Sequence, residues 1–388
     1  MIAYGVNIDQ YNQYKMPKEK LLNALQACDA LNISAQTLYA YVSRGLLRTT
    51  RHPNDSRKKL YFSSDVDKLL IRQTRGRSRN EIARSTVDFG EPVLQSKISC
   101  IRDGEFFYRQ INAVTLSQKA SLEDVFELLC EASIKHKVRA KKDIMVSAYD
   151  QPLSRFVEAL SHYLSSNNGA FGNRRSAYQL LNLMVSNAIA QDKDNLDLAI
   201  HERLAKAWST DSRAADLIRR ALVLSADHEL NASTYAVRVT ASAGASLSAC
   251  MLTGVSTLSG INHGGLTDLC LQWMRQSTAH NISKVDLSDD KPPPGFGHRL
   301  YPNGDPRATE ILKHCAPPKA WQRVVKQVAN RFTLAQPTLD YGLATLEHQL
   351  KLPQGAGFSI FAIARTVGWL AHCFEQRKNG SLIRPRAY

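Results

Sequence analysis

Disulfide and zinc-binding cysteine patterns are missing from this 388-residue chain. Its seven cysteines, Cys28, Cys100, Cys130, Cys250, Cys270, Cys315 and Cys373, are scattered, odd in number and never spaced C-x-x-C. That pattern fits reduced thiols in a cytosol and argues against a disulfide framework or a metal site. No run of 18 apolar residues occurs, so no segment is expected to span a membrane. Met1 to Gln13 has no apolar core with a basic flank, the mark of a secretory signal. Internal repeats, low-complexity tracts and long β-branched runs are lacking too. The expectation is a soluble, cytoplasmic protein.

What is present is the composition of a globular chain, 44% hydrophobic and 22% charged, long enough for two or three domains. The net charge of +15 is unevenly spread: residues 1–85 hold 15 Lys/Arg against 7 Asp/Glu, a net of +8. A basic N-terminal fifth invites a polyanionic partner. The milder excess elsewhere suits small anionic ligands.

Three zones lie along the chain. Residues 20–85 are compact and basic, and close on Arg72-Gln73-Thr74-Arg75-Gly76-Arg77-Ser78-Arg79, which reads as a linker or basic arm. From Ser96 to Arg109, alternating apolar residues around Asp103-Gly104 predict a short hairpin. Beyond it, helical periodicity marks Leu122–Leu129, Phe156–Leu164, Ala177–Ile189, Leu196–Trp208, Ala214–Leu224 and Trp321–Phe332. The body is therefore expected to be mainly α, with little sheet.

In the basic zone, Ala27, Ala30 and Leu31 mark the apolar face of one short helix and Asn32-Ile33 a turn. Ser34 can cap a second helix over Ala35 to Arg44 that buries Leu38 and Val42, with Gly45 as its left-handed stop. Thr49 to Phe62 reads as a basic hairpin, and Ser63-Ser64-Asp65 as another helix start. A helix-turn-helix with a basic wing is a DNA-docking arrangement. Ser34 to Leu47 with Leu60 to Val66 resembles the winged helix-turn-helix of MerR-like regulators, which places this domain at residues 1–85. That resemblance implies Gln36, Thr37, Tyr39, Tyr41 and Arg44 facing DNA, with Arg51, Arg57, Lys58 and Lys59 on its phosphates. A helical accessory domain is the other reading.

The body carries its own constellation. Gly295 to Arg307 sets His298 on a glycine-rich turn and Arg307 nine residues later, behind an Asp-Pro helix start. His263 lies in Gly260-Ile261-Asn262-His263-Gly264-Gly265, where missing side chains let a substrate approach. Asp340 follows Gln336-Pro337-Thr338-Leu339, a turn into a helix. Arg365 sits amid Ile363-Ala364 and Thr366-Val367, where an unpaired guanidinium is expensive. Carbon–carbon bond formation from a thioester needs a base for the α-proton, a donor for the enolate oxygen, a second donor for the electrophile and cations for its carboxylates. The chain offers a candidate for each, though a structural histidine, a capping aspartate or a buried ion pair would account for any one alone.

From about Ser96 to Tyr388 the chain resembles the citrate synthase family. Ala226 to Thr234, Gly260 to Gly265, Gly295 to Arg307, Asp340, Phe361 to Trp369 and Arg384-Pro385-Arg386 match its motifs in order. The resemblance implies a homodimer of helical subunits, with a large domain at 90–264 and 350–388 and a small domain at 265–349. It implies condensation of acetyl-CoA with oxaloacetate, or related substrates, to citrate and CoA, with the CoA thioester as substrate and no cofactor or metal. Asp340, His263 and His298 would be catalytic. His228, Arg307 and Arg365 would bind the keto acid, with Arg384 reaching in from the neighbouring subunit, and Pro294, Gly295, Phe296 and Gly297 would lie against CoA. Pro302 replaces a lysine common in the family near the CoA phosphates, and the 35-residue interval from His263 to His298 is short. The alternative is a metabolite-sensing DNA-binding regulator using this fold as its ligand domain.

Overall fold

The computed structural model describes residues 21–44, 46–52, 55–74, 94–133, 145–166, 171–190, 195–208, 210–278, 287, 291–332 and 335–385. They fall into two compact units, one within Gln13–Gln95 and one within Ser96–Arg386.

The first unit runs β1 (Leu21–Leu22), α1 (Ala24–Leu31), α2 (Ala35–Ser43), β2 (Thr49–His52), β3 (Asp55–Phe62) and α3 (Ser63–Thr74). Asn23 and Gln26 form a reciprocal cap that starts α1, and Asn32 in the left-handed region ends it. The Ser34 hydroxyl accepts the Thr37 N–H to start α2. Ala27, Leu31, Leu38, Leu47, Tyr61 and Val66 are among the residues of its small core. Ala30, expected on the buried face of α1, is exposed, because eight residues turn only the Ala27–Leu31 edge inward. Arg72 to Thr74, expected in a linker, finish α3. Gly45 and Arg75 to Arg79 lie outside the described residues.

In the second unit, β4 (Ser99–Arg102), β5 (Glu105–Tyr108) and β6 (Ile111–Asn112) form an antiparallel sheet. Asp103 and Gly104 both take positive φ, the geometry of a tight hairpin turn. The rest is helical: α4 (Ala113–Ser117), α5 (Leu122–Cys130), α6 (Pro152–Ser166), α7 (Arg174–Ile189), α8 (Ile200–Ala207), α9 (Ser212–Ser225), α10 (Ala232–Ser242) and α11 (Leu247–Leu258). Then come α12 (Leu266–Thr278), α13 (Pro306–His314), α14 (Lys319–Arg331), α15 (Leu339–Gln349) and α16 (Ala356–Asn379). α8 starts at Ile200 rather than Leu196. Glu123 of α5 accepts the Ile200 N–H at 2.7 Å and Glu202 accepts that of Ala199 at 2.9 Å, so carboxylates set the helix start.

α16 is the spine. It packs against α5, α7, α9, α10 and α11, and residues 356–373 are buried without a break. By length and apolarity it could cross a bilayer, but here it fills the core. A second, smaller apolar cluster joins Cys270, Met274, Phe296, Trp321, Val328 and Tyr341 around α12, α14 and α15.

One contact on this spine positions the segment that carries His228. The Gly368 N–H donates to the Ala226 carbonyl at 3.0 Å, and a Cβ on Gly368 would stand 2.3 Å from Asp227 Oδ1 and 2.5 Å from Ala226 O. Only glycine lets the Ala226–Glu229 segment lie on the helix. Gly368→Ala should therefore cost about 1–3 kcal/mol by overpacking and lower the thermal midpoint by several degrees. Gly380→Ala, with no atom within 4 Å of its Cβ, should cost only the left-handed backbone penalty of about 1–2 kcal/mol. Equal midpoints for Gly368→Ala and wild type would refute the close-approach account.

Candidate active site

Three loops, carrying His228, His263 and His298, and three helices, carrying Arg307, Asp340 and Arg365, bring the predicted residues of the body together. His228 leaves α9 on the segment that Gly368 admits, and Glu229 beside it takes a positive φ of 50°. Its Nε2 lies 2.9 Å from Tyr301 Oη, and its ring centroid is 5.4 Å from that of His298. His298 Nδ1 accepts the Leu300 N–H at 3.2 Å. That assigns the hydrogen of the neutral ring to Nε2, making it a donor.

His263 stands in the turn between α11 and α12, where Gly265 N–H closes onto Leu258 and Gly260 carbonyls. Its Nε2 is 2.7 Å from Ser233 Oγ. Trp369 Nε1–H donates to that same oxygen at 3.2 Å. The serine hydrogen is thus left to choose between His263 and Asn231 Oδ1, 2.8 Å away. When it points to His263, the imidazole hydrogen sits on Nδ1, facing away from the serine.

Asp340 occupies the first turn of α15, and Thr267 of α12 donates to its Oδ1 at 2.7 Å. Gly295, at φ +87°, keeps its Cα against Cys270, where a Cβ would meet sulfur at 2.3 Å. The turn it forms is stitched to the approach to Asp340 by Gly297 N–H to Gln336 O and Thr338 N–H to Gly295 O, both 2.9 Å. The His298 turn is therefore pinned to the start of the Asp340 helix. Within this turn Phe296 and Gly295 are buried, Pro294 is half-buried and Gly297 exposed.

The two arginines differ in kind. Arg307 is held by Asp305 through Nε at 2.9 Å and Nη2 at 2.8 Å, with Asp305 buried beside it. Asp305 also accepts the Leu339 N–H at 3.0 Å, tying α13 to the start of α15. Arg365 gives only Nε to Ser225 O at 3.1 Å and lies 4.9 Å from the Phe361 ring centroid. It makes no ion pair with a carboxylate among the described residues.

Burial and this clustering of cations set the charge states. Burial, helped by the Arg365 charge, lowers His263 to about 3. Burial and Arg307 lower His298 to about 4, and His228 is pushed well down by burial, Arg307 and its histidine and arginine neighbours. Arg365 falls to about 10 through burial, opposed by Asp227. Burial raises Asp340 to about 6, against the Thr267 hydrogen bond and Arg307. The pocket thus offers neutral imidazoles, charged guanidiniums and one carboxyl poised to gain or lose a proton near neutrality.

Six residues to which the sequence assigns no site role complete it: Asp305, Asp227, Ser233, Thr267, Tyr301 and Trp369. Asp227 bonds Ser99, and His372 Nε2 lies 3.3 Å from its Oδ2. Asp305 is visible in the sequence as a helix start, yet an aspartate two residues before an arginine does not disclose a bidentate pair. Arg384 lies apart, exposed on the tail after α16. In the other unit, Gln36, Tyr39 and Arg44 are exposed, Thr37 and Tyr41 half-buried. Lys58 is exposed and pairs with Asp55 at 3.4 Å, while the Arg57 side chain lies outside the described residues.

A helical spine, three neutral histidines, two arginines and a perturbed carboxyl are the parts that a condensing-enzyme site needs. Residues 89–386 match the family model described as citrate synthase, C-terminal domain. Citrate synthase 2 of Bacillus subtilis is 26% identical over 347 residues, covering 77% of this chain and 93% of that one. Citrate synthase of Haloferax volcanii is 32% identical over 187 residues, 45% of this chain and 49% of that protein. Among solved structures, citrate synthase of Thermoplasma acidophilum in ternary complex with carboxymethyl coenzyme A and oxaloacetate superposes with a TM-score of 0.67 at 19% identity, covering 79% of this chain and 95% of that one. That of Thermotoga maritima gives 0.65 at 22%, over 77% and 93%. The chain belongs to the citrate synthase family, and it is an enzyme of citrate synthase type.

The raised Asp340 carries a stability consequence. A carboxyl whose folded pKa of about 6 exceeds the unfolded value of about 3.9 favours folding only when protonated. Its ionisation therefore destabilises the fold progressively from about pH 4 to 6, by about 2–3 kcal/mol when complete. Asp340→Asn should raise the thermal midpoint at pH 8 and much less at pH 4.5. A midpoint difference that does not change with pH would overturn this.

Proposed function

We propose that this enzyme condenses the acetyl group of acetyl-CoA with oxaloacetate and hydrolyses the resulting thioester to citrate and CoA. A closely related acyl-CoA and 2-oxo acid would use the same groups. The observation that carries the reading is Arg365, a buried guanidinium with no carboxylate of its own among the described residues, set beside three histidines held neutral. Such a charge is costly to bury unless an anion completes it. Oxaloacetate supplies two carboxylates and a ketone.

In this mechanism Asp340 takes a proton from the acetyl methyl group. The forming enol oxygen accepts a hydrogen bond from His263 Nδ1–H, the tautomer present when the Ser233 hydrogen turns to Nε2 rather than to Asn231 Oδ1. The enol carbon attacks the ketone carbon, and His298 Nε2–H, already aimed as a donor, gives its proton to the new alkoxide. Water then cleaves the thioester, returning a proton to His298, and CoA leaves as the thiol with the proton that Asp340 took. Arg365, the remaining Nη1 of Arg307, and His228 hold the carboxylates. Guanidinium–carboxylate bonds fix orientation as well as charge, and general acid–base steps of this kind contribute about 10²–10⁴-fold each.

We further infer that 265–349 acts as a small domain closing over a large domain of 90–264 and 350–388. The separate apolar cluster around α12, α14 and α15 supports this division. Pro294 to Gly297 would lie against the CoA adenine. In a homodimer, Arg384 would enter the partner's site, a role that its exposure on the tail permits. For the N-terminal unit, the order helix, turn, helix, hairpin, helix and the exposed Gln36, Tyr39 and Arg44 support a MerR-like winged helix-turn-helix that docks on DNA.

Free CoA should be released from acetyl-CoA only when oxaloacetate is present, with kcat/KM rising as pH passes through about 6, where Asp340 ionises. No keto-acid-dependent release with any of several 2-oxo acids would overturn the reading. Asp340→Ala should abolish turnover while oxaloacetate still binds, and Arg365→Leu should raise its KM by about 10–100-fold. For the N-terminal unit, a salt-dependent gel shift should weaken in Arg44→Ala. A shift indifferent to both salt and substitution would refute DNA docking through α2.

A further inference from the structure

Tyr301 sits where the site's cations and imidazoles meet, though it takes no part in the proton transfers of the condensation. It is 2% exposed. Its ring centroid is 5.1 Å from that of His298 and 5.6 Å from that of His228, and Arg307 Cζ lies 5.4 Å from it. Its backbone is preset as well. The residue before a proline is held to extended conformations, and Pro302 comes next in the chain. Tyr301 N–H donates to His298 O at 2.9 Å, and Gly304 N–H to Tyr301 O at 3.0 Å. Pro302 itself is exposed, so its contribution here is to hold Tyr301 turned inward.

The hydroxyl has one partner among the described residues, His228 Nε2 at 2.9 Å. Burial raises the phenol's pKa, so it keeps its hydrogen, and burial beside cationic neighbours keeps His228 neutral. A neutral imidazole offers one donor and one acceptor. Were Nε2 the donor, the phenol hydrogen would stand unpaired in a pocket otherwise lined with donors. With Nε2 as acceptor, the phenol is satisfied and the imidazole hydrogen moves to Nδ1, which bonds no protein group among the described residues.

We infer that Tyr301 is a positioning residue: its O–H donates to His228 Nε2, locks that ring as the Nδ1–H tautomer, and makes His228 a hydrogen-bond donor to the keto acid. The last clause rests on the proposed keto-acid site; the tautomer does not. Every protein group facing the substrate's carboxylates and ketone is then a donor, which excludes ligands that would themselves have to donate.

The test is nitrogen NMR of the full-length protein carrying ¹⁵N-histidine, with the His228 signals identified by their loss in His228→Gln. Wild type should show the Nδ1–H form, and Tyr301→Phe, which keeps the ring and its stacking, should show mixed tautomers. In turnover, Tyr301→Phe should raise the KM for oxaloacetate about tenfold, leave the KM for acetyl-CoA within about twofold, and add nothing in a His228→Gln background. An Nε2–H ring in wild type overturns the inference, as does a Tyr301→Phe protein with unchanged tautomer and unchanged KM. Absence of keto-acid-dependent turnover in wild type would sink the proposed function alone, because the tautomer is read without substrate.

Discussion

Arg365 carries a positive charge inside the helical core, and a backbone carbonyl is its hydrogen-bond acceptor there. Desolvating such a group costs several kcal/mol unless opposite charge is supplied. The protein offsets the cost at a distance. Asp227, itself held ionised by His372, Arg365 and Ser99 despite burial, lies close enough to oppose the fall in the arginine's pKa without capturing it. Much of the site derives from that restraint. Gly368 lets the Asp227 segment approach the spine, and His228 is carried in beside it.

Arg307 shows the contrary solution. Asp305 takes two of its nitrogens, and the pair is so well matched that burial fails to neutralise either partner. The same carboxylate receives the first N–H of α15. A single aspartate thereby links an arginine, the histidine turn before it and the helix that presents Asp340. One guanidinium is held by a carboxylate with only Nη1 to spare while the other has no carboxylate partner among the described residues, and the difference lies in where the nearest carboxylate was placed.

The imidazoles illustrate how much a hydrogen bond decides. Leu300 N–H and the Tyr301 phenol each address one ring nitrogen and determine which nitrogen can donate, and the direction of the Ser233 hydroxyl does the same for His263. Neutral histidines are useful here because a dry pocket with two arginines makes imidazolium costly. The pocket can then give hydrogen bonds to developing oxyanions without adding charge.

Much of this was legible from the linear chain. Helical periodicity, the hairpin at Asp103-Gly104 and caps such as Ser34 are local, and local sterics and hydrogen bonding are written in neighbouring residues. The glycine-flanked His263 and His298, with Asp340 and Arg365, could be marked as candidates because together they supply the base, donors and cation that a thioester condensation needs, although each alone has a structural use too. Pairings between distant residues could not. That Asp305 saturates Arg307, that Tyr301 faces His228, that Trp369 steadies Ser233 and that Glu123 delays α8 to Ile200 all depend on which surfaces meet after packing. Composition and spacing by themselves determined a mainly helical protein with a polar constellation suited to an anionic substrate. Only the tertiary structure decided which arginine stays open and which imidazole nitrogen donates. Those properties belong to contacts between segments as many as 140 residues apart, where a shift of one ångström makes or breaks a hydrogen bond.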